Sequence, residues 1–466
     1  APTPAPTPAP TPAPTPAPTP APIAVPVSIS LQPLSQTARE GNQVSFTASA
    51  TGDTPFIFQW LRNGAVIPGA SSTTFSIGMV KRADDQGILN VRVSNATSSA
   101  LSQSATLIVL PVASNSVSLL AGNLGVMTDL DGTEKAAAFS SIRALAADKN
   151  GNVYVAQSNA IRKISPSGTT NILAGPLNTN ESGFVDGPTE SARFSRIEDL
   201  ALDSLGNIYV ADAGNLAIRK ISPDGRVSTI AGGRDKFGYV DGTVGEAKFN
   251  NFLAITVAAN GDTYFIDSTS NFGFFSGFFV RKIDRAGVVS TVPGSFIDVR
   301  TGRATDIAVD MQGSIYISVG VYSAAFVSLG SPDTTSASYI LKISPSGTST
   351  VFAGSYLAAR QGAVDGPGLQ ARFKNLTSMA IDSTGSLYVA DSGNSAIRRI
   401  SPEGVVSTVI GVLPGVIPGT PQIQLGALPG QLTYADSVAT GPFGAVYLAV
   451  GDESQSRRLV LQAEPK

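Results

Sequence analysis

One phrase of strands and turns recurs from residue 115 to the end of this chain, and that recurrence restricts the available folds more than any other feature. Residues 197–232 show the unit. Ile197 to Leu202 is an apolar run of strand length, and Asp203-Ser204-Leu205-Gly206 is a tight turn. Asn207 to Ala211 is a second run, Asp212 to Leu216 a polar turn, and Ala217 to Ile221 a third run. Pro223-Asp224-Gly225 then turns the chain into a fourth, Val227 to Ala231. Proline presets φ and glycine accepts the left-handed conformation, so both hairpins follow from turn chemistry. A tyrosine marks the second run each time, at Tyr154, Tyr209, Tyr264, Tyr316, Tyr388 and Tyr447.

Four strand-sized runs in each period of roughly 50–70 residues is the pattern of a β-propeller blade. The ends of the array suggest how it closes. Val117-Ser118-Leu119-Leu120-Ala121-Gly122 matches fourth strands such as Val227 to Gly232 but precedes the first complete unit. At the other end Ser437 to Thr440, Val446 to Val450 and Arg458 to Leu461 lack a fourth strand. The expectation is therefore an all-β chain with six blades over 115–466, in which 117–121 pairs beside 457–462. That pairing would remove the free edge an open array would expose.

Tyr209-Val210-Ala211-Asp212-Ala213-Gly214-Asn215 followed by Ile218-Arg219-Lys220-Ile221 resembles the core of NHL-repeat propellers. Tyr388 to Asn394 with Ile397-Arg398-Arg399-Ile400 repeats it. Leu216 and Ser395 stand where that family carries its histidine. The resemblance implies one of two uses. Some six-bladed relatives are enzymes: amidating lyases with a histidine-bound zinc, lactonase-like hydrolases with a central calcium, and strictosidine synthase-like proteins. Others are rigid platforms for protein, glycan or nucleic-acid partners.

The first part of the chain reads differently. Residues 1–22 are Ala-Pro-Thr-Pro repeats, and proline at every second position forbids helix and ladder bonding, so 1–26 is read as a polyproline II or disordered linker. At about 3.1 Å per residue such a tract reaches about 70 Å. Residues 27–111 read as a β-sandwich. Val44, Phe46 and Ala48 alternate, Phe56, Phe58 and Trp60 follow, and Asn63-Gly64 is a hairpin signal. Thr74 to Ile77, Leu89-x-Val91-x-Val93 and Ala105 to Val109 supply further strands. Gln59-Trp60 and Asp85-x-Gly87-x-Leu89-x-Val91 resemble an I-set immunoglobulin domain, with Leu89 at the corner tyrosine and Ala48 and Val91 at the disulfide cysteines. Trp60 is expected in the core.

Composition narrows the chemistry. The chain has no histidine and no cysteine, which excludes a zinc-histidine lyase and every Ser-His or Cys-His nucleophile pair. Charged residues are 14% with a net charge of −2, giving nucleic-acid binding no electrostatic support. No apolar run approaches the roughly 20 residues of a membrane helix. Low charge and a start at Ala1 rather than Met point to a processed, exported protein of bacterial type. It is expected in the periplasm, at the cell surface or outside the cell, with a membrane link only through an anchor upstream.

In a propeller the second-to-third and blade-to-blade loops share one face, and here those loops are long. Two sets of residues on that face are candidates. Phe272, Phe274, Phe275, Phe278 and Phe279, with Tyr322 and Phe326, lie in expanded second-to-third loops. They are either a docking patch for a protein or sugar or the loops' own small core. Asp131, Asp186, Asp241 and Asp365 each precede a glycine in the blade-to-blade loops. They are expected to be structural, capping the short helical turn that leads to Phe139, Phe194, Phe249 or Phe373, with a cation ring as the alternative. Asp212 with Arg219 and Asp391 with Arg398 are read as scaffold ion pairs. Glu198, Asp199, Asn250 and Asn251 at strand starts keep a calcium-dependent lactonase or esterase open. The reading is a non-enzymatic surface platform for protein or glycan with no cofactor. Self-association into a surface assembly stands as a third possibility.

Overall fold

The computed structural model describes residues 24–40, 42–110, 116–177, 181–268, 277–298, 303–320, 338–355, 362–411, 423, 425–428, 432–451 and 458–463. Among them are strands and short 3-10 turns, and no helix is long and apolar enough to cross a membrane. The chain divides into two compact units, Ala1–Val109 and Leu110–Lys466.

The first unit is two-layered. Gln36–Arg39, Ala105–Leu110, Gly87–Ser94, Ile57–Arg62 and Ala65–Val66 pair in that order, and Val44–Thr47 pairs with Thr74–Ile77. Gly87–Ser94 alternates buried and exposed residues along its length, as a strand covered on one face must. Trp60 is fully buried, its ring 6.4 Å from Phe46 and 6.0 Å from Phe75. Its Nε1 donates to the Ser72 carbonyl at 2.9 Å, which satisfies its polar atom inside the core. Ala48, Leu89 and Val91 are fully buried in the same cluster, so apolar packing fills their places. Asn63 (φ 50°) and Gly64 (φ 82°) make the hairpin turn between Ile57–Arg62 and Ala65–Val66.

Among its described residues the second unit contains six antiparallel sheets. Sheet I has strands Ala144–Ala147, Val153–Ala156, Ile161–Ile164 and Thr169–Ala174. Sheet II has Ile197–Leu202, Ile208–Asp212, Ala217–Ile221 and Arg226–Gly232. Sheet III has Phe252–Val257, Thr263–Ser268, Gly277–Ile283 and Val289–Thr291. Sheet IV has Arg303–Val309, Ile315–Gly320, Ser338–Ile343 and Ser349–Gly354. Sheet V has Leu376–Ile381, Leu387–Asp391, Ala396–Ile400 and Val405–Ile410. Sheet VI has Tyr434–Thr440, Val446–Gly451 and Arg458–Ala463, and its fourth strand is Ser116–Ala121 from the far end of the unit. Val117 lies opposite Ala463 and Leu119 opposite Leu461. The orphan strand of the sequence is thus paired where its pattern requires.

The first strand of each sheet lies beside that of the next, and the first strand of sheet VI lies beside that of sheet I. Apolar clusters fill each of the six junctions, Leu145, Phe139 and Tyr447 between VI and I, for example, and Phe194, Ile197 and Val210 between I and II.

The Asp-Gly segments do not crown the long-loop face. Each runs down the outside of its own sheet as a fifth strand: Gly132 pairs with Thr170, Gly187 with Val227 and Gly366 with Val406, while Gly242 bridges to Val289. These glycines have φ of 152°, 127°, 128° and 146°, a conformation that a side chain would strain.

Candidate functional site

Every third strand in sheets I, II, III and V carries an arginine with a fully buried side chain: Arg162, Arg219, Arg281 and Arg398. Arg219 shows why burial is tolerated. Its Nη1 donates to Asp212 Oδ2 at 2.8 Å and to the Arg193 carbonyl at 3.2 Å. Its Nη2 donates to Asp186 Oδ1 at 2.6 Å and to the Val185 carbonyl at 2.8 Å, and its Nε reaches Asp186 Oδ1 at 3.0 Å. All five N–H groups of the guanidinium are used. Phe184 and Phe194 lie over it with centroids at 4.9 and 5.1 Å. Arg398 repeats the arrangement with Asp365, Asp391, the Val364 and Arg372 carbonyls and Phe373.

The four Asp-Gly carboxylates are consumed in the same way. Besides its arginine, each accepts a backbone N–H of its fourth strand, from Ile172, Thr229, Thr291 or Thr408, at 2.9 Å. The short helical turns after Gly132 and Gly366 have no side-chain cap bond. These aspartates therefore hold an arginine and a strand rather than capping a turn, and their oxygens do not suit a cation ring. The recurrent Phe139, Phe194, Phe249 and Phe373 are fully buried between sheets, each with an arginine guanidinium over its ring.

A second network lies where the six first strands meet. The inner edge of a first strand has no neighbour in its own sheet, so its N–H groups need side-chain acceptors. At one level of the channel six such groups find them. Asp199 accepts from Leu200 and Ile255 at 2.7 Å each; Asp306 accepts from Ile307 at 2.7 Å and Met379 at 2.6 Å. Ser378 accepts from Val438 at 3.2 Å, and Ser437 from Leu145 at 3.0 Å. The equivalent residues in sheets I and III are Ala144 and Ala254, which have no acceptor. In each case the next sheet carries an aspartate, whose second oxygen covers the deficit. Burial raises the Asp199 carboxyl well above its ordinary range, with the Asp306 charge adding to it. Burial likewise pushes Asp306 up to about 6, opposed by its two backbone donors.

Above this belt, on the long-loop side, the strand starts form the mouth of the channel. Arg143 Nη1 lies 3.6 Å and Arg196 Nε 3.4 Å from Glu198, while Arg196 Nη2 donates to Asn251 Oδ1 at 2.7 Å. Arg196 sits in the left-handed conformation (φ 51°), held by its own carbonyl accepting Ala213 N–H at 3.2 Å and the Ser195 carbonyl accepting Gly214 N–H at 2.8 Å. A Cβ on Gly214 would fall 2.6 Å from that Ser195 oxygen, so the Gly-Asn turn requires its glycine.

A calcium site needs free, converging oxygens. Both Glu198 oxygens face guanidinium groups, both Asp199 oxygens accept N–H groups, and Asn251 Oδ1 is taken by Arg196. Of the four residues of the calcium reading, Glu198, Asp199 and Asn251 therefore have their oxygens engaged, and Asn250 alone does not make a calcium site. Among the described residues no group of three or more His, Cys, Asp or Glu is arranged to hold a metal.

Of the aromatic candidates, Phe272, Phe274, Phe275, Tyr322 and Phe326 lie outside the described residues. Phe278 is buried at 7% exposure, and Phe279 lies between Tyr239 (5.0 Å) and Phe296 (4.8 Å). Both lie in the third strand of sheet III rather than in a loop, and Phe278 packs in the junction between sheets III and IV. On the short-turn side are two clefts absent from the sequence reading, about 700 Å³ between sheets II and III and about 550 Å³ between I and II. Tyr209 and Tyr154 line them, each donating to a turn aspartate, Asp203 or Asp148, at 3.2 Å. Sequence reasoning also missed Arg143, Arg196 and Arg303. The signal that finds them is their shared position at the starts of the first strands.

No family model matches the chain. Among curated proteins it is similar to mouse Teneurin-4, 24% identical over 313 residues, covering 58% of this chain and 10% of that protein. Human Teneurin-4 is 25% identical over 314 residues with the same coverage. The chain thus spans about a tenth of the length of these relatives. Among solved structures it is similar to a protein of unknown function from Bacteroides thetaiotaomicron, with a TM-score of 0.54, 16% identity and coverage of 94% of this chain and 98% of that one. An auxiliary nutrient binding protein of the same species gives 0.51, 14% identity and coverage of 95% and 98%. At these identities the similarity speaks to fold, and the fold of this chain is all-β and propeller-like.

Proposed function

We propose that this chain is a non-enzymatic binding protein, exported and displayed at a bacterial surface, whose six sheets form a six-bladed propeller of NHL type. In this reading the immunoglobulin-like unit and the Ala-Pro-Thr-Pro tract space the propeller from its point of attachment. The long-loop face receives a protein or glycan. The observation that carries the reading is at the channel mouth. Its acids, Glu198 and Asp199, are held by arginines or backbone N–H groups, while the Arg143 and Arg196 side chains stay 45% and 50% exposed. Such a mouth offers hydrogen-bond donors to a ligand, and among the described residues each of these two acids faces a guanidinium or an N–H rather than standing alone as a base. The nutrient binding protein among the structural neighbours supports a binding role. A glycan array and a pull-down with the full chain, run beside an assay with a small lactone, test the reading. Saturable binding without turnover is expected; turnover lost in Asp199→Asn would replace it with the hydrolase reading.

A further inference from the structure

We propose that the channel mouth recognises the carboxylate of an acidic sugar. This rests on the glycan-binding reading above and narrows it to one class of ligand. Arg196, Asn251, Arg303, Asn375 and Tyr434 each lie three residues before the belt position in sheets II to VI; Arg303 and Tyr434 are the first paired residues of their strands, and the other three stand one residue before theirs. None of these five is acidic.

The acids nearby are already committed. Glu198 is shared between Arg143 and Arg196 at 3.6 and 3.4 Å, longer than the roughly 2.7–3.2 Å of a formed N–H···O bond. Both guanidiniums therefore keep donors for another oxyanion. Asp436 is paired with Arg458 at 2.9 Å. Arg303 is exposed, with no acidic partner among the described residues. One further donor is left over: Asn250, only 6% exposed, has an amide nitrogen without an acceptor among the described residues. On a chain of net charge −2 this is a local excess of cationic donors.

The chemistry matches a carboxylated sugar in three respects. Guanidinium groups take a carboxylate with charge-assisted bonds. Asparagine amides suit ring hydroxyls, and the partly exposed Tyr434, at 37%, offers a flat face to a pyranose. The backbone of Arg196 is held by the Gly214 turn and its Nη2 by Asn251 Oδ1, which lowers the ordering cost of binding.

Isothermal titration calorimetry of the full chain with a galacturonate oligomer, and with a neutral galactose oligomer of the same length, tests the proposal. The acidic oligomer should bind, weaken with rising ionic strength, and lose about tenfold or more in affinity in Arg303→Ala and in Arg196→Ala. Arg303→Lys should recover part of the loss, and the control Arg226→Ala on the short-turn side should bind normally. Unchanged melting curves for Arg303→Ala separate lost binding from lost fold. Equal affinity for the neutral oligomer, acidic binding indifferent to both arginine variants, or no binding of either oligomer overturns the proposal. A glycan-array or protein ligand found in those cases would leave the platform reading standing. Lactone turnover with no ligand at all would overturn both.

Discussion

Sheets II, III and V and sheets IV and VI solve one packing problem with opposite chemistry. In the first group the third strand carries Arg219, Arg281 or Arg398, and the second strand carries Asp212, Asp267 or Asp391 at or next to its end. In the second group the same positions hold Leu341 with Val319 and Leu461 with Val450. Sheet I is intermediate: Gln157 replaces the aspartate and Asp129 reaches in to accept its amide at 2.6 Å. In the other five sheets, charge or no charge enters at both positions together. A buried ion pair adds little net stability over an apolar pair of similar volume, but half of one is expensive. What the charged version adds is reach, because its guanidinium also pins the Asp-Gly strand on the outside of the sheet.

The largest effect should come from splitting a pair. Arg219→Leu leaves Asp212 buried without its cation and should cost about 3–5 kcal/mol in denaturant unfolding of the full chain. The double variant Arg219→Leu with Asp212→Val rebuilds the chemistry of sheet VI and should recover more than half of that loss. A double variant as unstable as the single one would break the comparison. Asp186→Ala comes next, at about 1–3 kcal/mol, since it frees two guanidinium bonds and the Thr229 N–H near the surface.

The smallest effect is a change of slope with pH. Asp306 sits at about 6 in the folded chain against roughly 3.9 when unfolded. The folded state therefore holds the proton more tightly. The stability from this group is present in full below pH of about 4 and is lost as pH rises to about 6. Asp306→Asn should flatten that window in melting curves taken from pH 4 to 7. An unchanged slope would mean that the channel belt does not feel the proton.

Strands and hairpins were legible because their signals are local: alternation, Asn-Gly, Pro-Asp-Gly. The pairing of Ser116–Ala121 with Arg458–Ala463 was legible from an unmatched strand at each end. The Asp-Gly segments were misplaced as face loops, because two residues of ladder at Gly187-Pro188 leave no periodicity to read. The belt was invisible for another reason. Asp199, Asp306, Ser378 and Ser437 act at a single position per sheet, and their logic appears only when first strands are compared across sheets. The channel-mouth arginines went unread for the same cause. Glu198, Asp199 and Asn251 were noticed as oxygens, but not the donors that occupy them.

The clasp between Val117 and Ala463 has a consequence for synthesis. These partners are 346 positions apart, so on a polypeptide leaving the ribosome Ser116–Ala121 cannot find its place in sheet VI until Arg458–Ala463 has emerged. Until then the leading strand waits with an uncovered edge, and the newborn protein is at its most vulnerable to pairing with a neighbour.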